Sequence, residues 1–251
     1  MRSYRTPKNL ITPIVYDNMQ REDTKVYLPY ASTSQNTTVR DANALTNQSA
    51  YYRNEYGTND GNRAYSENVY ESSPLNRVVA TKKPGSTYSS KAVNITYATN
   101  TSSEVKYFTV DAARSLVPSG NYAAGTLYKI TTTDEDNQVA VQYTDKQERL
   151  IMERRVNANV NFDTYYVYDD YGHLGWVITP EGSMSLPTAT QTASSTFAKR
   201  YCYVYTYDGN GKIFKKQLPG KGLESYVYDK AGRMVLYQDG ELRLNKRGLL
   251  N

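Results

Sequence analysis

Along the second half of the chain, hydrophobic and polar positions alternate with a period of two, and the alternation breaks each time at the same kind of phrase. Tyr203-Val204-Tyr205-Thr206-Tyr207 sets three tyrosines on one face, and Tyr226-Val227-Tyr228 repeats the pattern; this is the periodicity of a half-buried strand. Both runs stop at an Asp and resume as Ile213 to Leu218 and Met234 to Tyr237, which read as return strands. The phrases between are Tyr207-Asp208-Gly209-Asn210-Gly211-Lys212-Ile213 and Tyr228-Asp229-Lys230-Ala231-Gly232-Arg233-Met234, with their Asp residues 21 positions apart. A third copy is Tyr168-Asp169-Asp170-Tyr171-Gly172-His173-Leu174. Two worn copies are Tyr16-Asp17-Asn18-Met19-Gln20-Arg21 and Tyr143-Thr144-Asp145-Lys146-Gln147-Glu148-Arg149-Leu150.

The phrase has a mechanism. An Asp carboxylate at the first turn position accepts the backbone N–H two residues on, and a Gly three positions later tolerates positive φ. Tyr16, Asp17, Tyr143, Asp145, Tyr168, Asp169, Gly172, Tyr207, Asp208, Gly211, Tyr228, Asp229 and Gly232 therefore form a structural turn motif, each copy closing a hairpin. Repetition near twenty residues is the mark of stacked supersecondary units, each marginal alone and stabilised by its neighbours. Gln20 and Glu148 stand where Gly would be, and a side chain with a Cβ is disfavoured in the left-handed region. Those two turns are expected to be distorted or of another type.

The remaining chain is read from the same signals. A long excursion at about 33–65 is rich in Asn, Ser and Thr, and Asp41 to Tyr52 within it suits a short helix. Ser73-Pro74-Leu75-Asn76-Arg77-Val78-Val79-Ala80 enters a strand that stops at Lys83-Pro84-Gly85, and further strands are predicted at Ala92 to Tyr97 and Glu104 to Val110 around Asn100-Thr101-Ser102-Ser103, and at Leu127 to Thr133 and Val139 to Tyr143 around Asp134-Glu135-Asp136-Asn137. That acidic run lacks the Gly and distal Glu of a calcium loop and reads as a solvated hairpin tip. Ser183 to Thr196 reads as a long surface loop. The fold class is all-β, built of stacked antiparallel hairpins with long Ser/Thr/Asn-rich loops.

Composition sharpens this picture. The chain of 251 residues carries 26 Tyr against 4 Phe and 1 Trp, so aromatic packing falls to rings whose hydroxyls need partners. A net charge of +5 raises the question of nucleic acid, but Lys and Arg are scattered. The densest group, Lys212, Lys215, Lys216 and Lys221, reads as a solvated strand face rather than a binding patch, and no nucleic-acid partner is expected. One cysteine, Cys202, excludes an intramolecular disulfide. The opening Met1-Arg2-Ser3-Tyr4-Arg5 lacks the apolar run of a signal peptide, and no 18-residue apolar stretch is present to span a membrane.

No catalytic, metal or cofactor residue is assigned. His173 is the single histidine and occupies the position held by Lys212 and Arg233 in other copies, as an interchangeable turn residue would. A glycosidase would need two carboxylates in one cleft, and Asp169, Asp208 and Asp229 are the candidates; each already has a turn to hold.

These residues carry a resemblance. The Tyr-Asp-x-x-Gly-Arg phrase is the hallmark of bacterial RHS/YD-repeat proteins, and the chain resembles the N-terminal, pre-core region of the large versions. The opening from Tyr16-Asp17 through Tyr27-Leu28-Pro29-Tyr30 fits the same region, as do Ser72-Ser73-Pro74-Leu75-Asn76-Arg77-Val78, Asp145-Lys146-Gln147 and Leu218-Pro219-Gly220-Lys221-Gly222. The resemblance implies a curved or spiral sheet, part of an encapsulating shell around a C-terminal toxin, in a secreted or cell-surface protein. It implies two regions, 1–140 with one worn hairpin and 141–251 as the repeat array, truncated before any core segment. The expected partners are the remainder of a larger RHS-type polypeptide or its C-terminal effector. The alternative is a carbohydrate- or partner-binding module whose exposed tyrosines stack on glycans at a cell surface.

Overall fold

The structure is a computed structural model and describes residues 10–16, 24–32 and 43–240. Asp17 and Gln20, and with them the turn of the first worn copy, lie outside the described residues; Tyr16 lies within them and is exposed. The architecture is all-β, mostly antiparallel, and its largest sheet has 13 strands. The chain divides into two compact units, residues 1–96 with 132–137 and residues 97–131 with 138–251.

The first unit contains β1 (Leu10–Ile11), β2 (Lys25–Tyr27), β3 (Tyr30–Ala31), α1 (Ala44–Tyr56), α2 (Thr58–Gly61), β4 (Tyr65–Tyr70), β5 (Val78–Lys82) and the start of β6 (Val93–Thr99). Strand order here is β6-β5-β4-β2, and β1 pairs separately with β3. The polar excursion holds a 13-residue helix, α1, where a shorter one is expected. Its side chains explain how a polar sequence stays docked. Gln48 is 2% exposed and donates from Nε2 to the carbonyls of Ala64 (2.6 Å) and Leu28 (3.3 Å), and the Tyr52 hydroxyl donates to Pro29 O at 2.6 Å. Buried polar groups are tolerated when paired in this way.

The second unit contains β7 (Lys106–Val110), β8 (Leu116–Asn121), most of β9 (Tyr128–Thr133), and β10 (Val139–Thr144), β11 (Leu150–Asn157), β12 (Val160–Tyr168) and β13 (Leu174–Ile178). After α3 (Pro180–Ser183) and α4 (Thr196–Tyr201) come β14 (Cys202–Tyr207), β15 (Ile213–Gln217), β16 (Leu223–Tyr228) and β17 (Met234–Gln238). From β9 to β17 the strands neighbour one another in chain order, as a run of hairpins does. Across β11 and β12, Arg154 faces Asp163 and donates to both of its oxygens at 2.7 and 2.8 Å.

One element departs from the sequence reading. The strand at Glu104 to Val110 does not form a hairpin with the strand before it. It pairs with β8, a strand that Pro118 and Gly120 disguise as a turn, and the two form their own small sheet. The segment from Ser183 to Thr196 is a loop, as expected, running from the end of α3 to the start of α4, where Ser195 caps the helix by accepting from Ala198 N.

The β7–β8 pair has a packing role. Val105, Phe108 and Leu116 are buried in one cluster with Val141, Tyr143, Met152, Tyr165, Trp176, Ile178 and Val204 of the large sheet. Phe108 meets Tyr165 edge to face at 5.7 Å between centroids, and the Trp176 indole N–H donates to Arg114 O at 3.1 Å. A Cβ on Gly175 would sit 3.2 Å from Val110 Cγ2, so glycine lets the small sheet approach here. Burial of these rings and of the aliphatic side chains around them stabilises the unit.

Candidate functional site

The site worth building is the row of turns, starting from one carboxylate. Asp169 N donates to His173 O (2.9 Å), and Gly172 N donates to Asp169 O (2.9 Å). Its Oδ1 accepts from Tyr171 N (3.0 Å) and His173 N (2.8 Å). Asp208 repeats the set, with backbone bonds of 2.8 and 3.1 Å and Oδ1 accepting from Asn210 N and Lys212 N, both at 2.9 Å. Asp145 does the same with Gln147 N and Arg149 N. Asp229 keeps both backbone bonds and accepts from Arg233 N at 2.8 Å. Hydrogen bonds to the charged form, first from the Arg233 backbone and then from its side chain, hold the Asp229 carboxyl below its usual range. At each of the four turns the strand register shifts just before the Asp, which is a bulge.

The worn turn at Glu148 is not distorted. Glu148 takes φ +62°, close to Gly172 (+82°), Gly211 (+75°) and Gly232 (+78°), and its turn makes the same bonds. Four bonds around Asp145, plus the Arg149 Nε bond to Oδ2 (2.7 Å), outweigh a left-handed cost of about 1–2 kcal/mol. The expected consequence is that Glu148→Gly raises stability by about 0.5–1 kcal/mol, measured as a higher urea midpoint; Gly211→Ala lowers it by about 1–2 kcal/mol.

Three further turns share this geometry and lack the Tyr-Asp-Gly signature. Asp111 bonds Ser115 N through Oδ1 (2.7 Å), with Arg114 at φ +64°. Asp134 accepts from Asp136 N (2.9 Å), with Asn137 at φ +63°. Glu71 does the same work in a longer turn: Glu71 N donates to Arg77 O, Asn76 has φ +52°, and Arg77 binds the carboxylate through Nε and Nη2, both at 2.8 Å. The Arg77 side chain, followed by Ser73, holds the Glu71 carboxyl at about 2. The constant element is a carboxylate four to six residues before a polar residue and an aliphatic one; the glycine is optional.

The residue after the positive-φ position links one turn to the next. The Arg149 guanidinium lies 5.0 Å from the Tyr168 ring centroid, the His173 ring stacks on Tyr207 (4.7 Å, 21°), and Lys212 Nζ lies 5.1 Å from the Tyr228 centroid. Each of these tyrosines donates its hydroxyl back to the carbonyl of the aliphatic residue beside that side chain: Tyr168 to Leu150 O (3.1 Å), Tyr207 to Leu174 O (3.0 Å) and Tyr228 to Ile213 O (2.9 Å). Glycine has a second use here. A Cβ on Gly211 would come within 3.2 Å of His173 Nε2, and Lys212 Nζ donates to Gly232 O. His173 therefore sits in the row's basic position, half-buried beneath the next repeat's tyrosine.

A cleft of about 580 Å³ opens beside this row, lined by residues of the Asp111, Asp169 and Asp208 turns with Trp176, Tyr205 and Tyr207. Its lining includes no Ser, Thr or Cys beside the His173 Nδ1···Asp169 Oδ2 pair (3.3 Å); its hydroxyls are the phenols of Tyr171, Tyr205 and Tyr207. Asp169, Asp208 and Asp229 each accept hydrogen bonds from the backbone of their own turn. Of the tyrosines lining the cleft only Tyr171 is exposed, at 88%. Cys202 is buried, and burial pushes its thiol up to about 12. Among the described residues no three His, Cys, Asp or Glu side chains converge as metal ligands, and no helix is long and apolar enough to cross a membrane. Three of the four clustered lysines have local partners: Lys212 in the row, Lys215 over Phe214, and Lys221 paired with Glu224 (2.9 Å) and Asp239 (3.2 Å).

Residues 1–101 match the family model described as a domain of unknown function, DUF6443. No curated protein matches the sequence. The fold is similar to part of a chain in the crystal structure of TcdB2-TccC3-TEV, with a TM-score of 0.54 and 14% identity over 91% of this chain. It is likewise similar to part of a chain in that of TcdB2-TccC3-Cdc42, with a TM-score of 0.52 and 14% identity over 90%. In both cases it spans 9% of the other chain's length, so the likeness is one of fold, to a segment of a much larger molecule.

Proposed function

We propose that this chain is a non-enzymatic structural module of an RHS-type secreted protein, a segment of a β-sheet wall that encloses a C-terminal toxin or effector. The observation that carries the reading is the row of linked turns, in which each carboxylate holds its own turn and each basic residue and tyrosine hold the neighbouring hairpin. Polar groups committed in this way build a surface rather than a reaction centre. The shared fold with a small part of the TcdB2-TccC3 chains supports the same reading. On it, residues 1–140 and 141–251 are successive stretches of one wall, and the turn residues from Tyr143 to Gly232 are its fastenings.

The test uses the longer polypeptide that contains this segment. Its C-terminal portion is expected to resist proteinase K while the same portion expressed alone is digested, and electron cryomicroscopy is expected to place this segment in the surrounding wall. Equal digestion rates overturn the proposal.

A further inference from the structure

In three of the four Asp turns the second carboxylate oxygen is closed off by the basic side chain four positions on. Asp145 Oδ2 receives Arg149 Nε and Nη2, each at 2.7 Å, Asp229 Oδ2 receives Arg233 Nε at 2.8 Å, and Asp169 Oδ2 faces His173 Nδ1 at 3.3 Å. Asp208 is the exception. Its Oδ1 holds the turn through Asn210 N and Lys212 N, but Lys212 Nζ is turned away to Gly232 O and the Tyr228 ring, so Oδ2 has no cation among the described residues.

Asp208 lines the cleft beside the row. Asp111, Asp169 and Asp170 line it too, against one guanidinium, Arg114, which lies 5.9 Å from the Phe214 ring centroid. Asp170 makes no side-chain hydrogen bond or ion pair among the described residues, and Asp111 uses Oδ1 for Ser115 N. The chain as a whole carries a net charge of +5, so this excess of carboxylates is local. A volume of about 580 Å³ suits a small ligand or a short peptide. Trp176, Tyr205 and Tyr207 supply aromatic lining, and Tyr171 adds an open ring, 88% exposed.

We propose that this cleft is a binding site for an arginine side chain presented by another polypeptide. The guanidinium pairs with the Asp208 and Asp170 carboxylates and packs on the Tyr171 ring. The molecule contains the template: one turn away, Arg149 satisfies Asp145 and lies 5.0 Å from the centroid of the Tyr168 ring. A planar guanidinium donates to a carboxylate as a fork and lies along an aromatic face at the same time; an ammonium does neither as well. The cleft's charge also decides which form of arginine it takes. A free amino acid brings an α-carboxylate up to four others, and like charges repel, whereas an arginine within a peptide carries no such group. Nothing in this site depends on the chain being wall material.

The probe is N-acetyl-arginine N-methylamide, titrated into the whole chain and followed by proton–nitrogen correlation NMR at Gly209 and Gly211, which line the cleft. Saturable shifts with a dissociation constant below about 5 mM are expected. The neutral citrulline analogue should bind about tenfold more weakly, the lysine analogue about fivefold and free L-arginine about threefold. Asp208→Asn, which keeps an oxygen for the turn N–H groups, should weaken binding about fivefold, and Asp170→Asn and Tyr171→Ala about threefold each. The same spectra show whether each variant is folded; Asp170 and Tyr171 are exposed, so their variants keep the site testable. Absence of saturable shifts overturns the proposal, as does citrulline binding as tightly as arginine, or binding indifferent to both Asp170→Asn and Tyr171→Ala. Equal binding of the lysine probe makes the site one for any cation, and equal binding of free L-arginine makes it one for a small molecule; either result also overturns it.

Discussion

Trp176→Ala is expected to destabilise the chain by about 4 kcal/mol, the middle of the range for truncating a buried aromatic ring. Trp176 is fully buried, its neighbours come from two sheets, and its indole N–H is bonded to Arg114 O. Truncation opens a cavity between β13 and the β7–β8 pair and leaves the Arg114 carbonyl without that donor. Against a typical stability of about 5–15 kcal/mol, this is a large fraction. Because Trp176 is the single tryptophan, far-ultraviolet circular dichroism in urea is the right probe for both proteins. Trp176→Phe keeps most of the volume and is expected to cost about 2 kcal/mol. A loss below about 1.5 kcal/mol for the alanine variant would mean that the small sheet does not seal this core.

The second large effect is expected at Glu104. Its Oε1 accepts from Lys129 Nζ (2.5 Å) and the Tyr143 hydroxyl (2.7 Å), and its Oε2 accepts from Thr101 N (2.8 Å). Burial works against the charged carboxylate, but the bonds from Lys129, Thr101 and Tyr143 together prevail and hold it at about 2. Tyr143 is fully buried, so its hydroxyl depends on this acceptor. Burial, then the bond to Glu104, pushes the phenol well above its ordinary value. Glu104→Gln is expected to cost about 2–3 kcal/mol at pH 7, the lower figure allowing for water at the carboxylate.

The pH dependence has a definite sign. The unfolded carboxyl takes up its proton near its ordinary value of 4.5, while the folded one keeps its charge down to about 2. The contribution is therefore complete above about pH 4.5 and is lost as pH falls toward 2. Urea midpoints of the wild type and Glu104→Gln should converge across that window. A gap that stays constant to pH 2.5 would assign the loss to packing instead.

How much of this was legible in the sequence depends on which part of the phrase is read. Tyrosine at period two and Asp followed by Gly located β14 to β17 to within three residues, because both signals arise from local backbone chemistry. The turns at Glu71 and Asp111 passed unread for the opposite reason. Their acceptor carboxylate is present, but Asn76 and Arg114 take the left-handed position, so a search anchored on glycine overlooks them. β8 was hidden because Pro118 and Gly120 (φ +98°) look like punctuation, whereas here they belong to a strand held by burial of Leu116. The linked row itself could not be read from one repeat, since its contacts join residues about 15 to 35 positions apart and exist only when hairpins are stacked.

The directional linkage between turns also bears on synthesis. Each tyrosine reaches back to a basic residue and a carbonyl earlier in the chain, so a hairpin leaving the ribosome meets an acceptor that is already complete. No step has to wait for sequence still to be translated. The array from β11 to β17 can grow as fast as it is made, one fastening at a time.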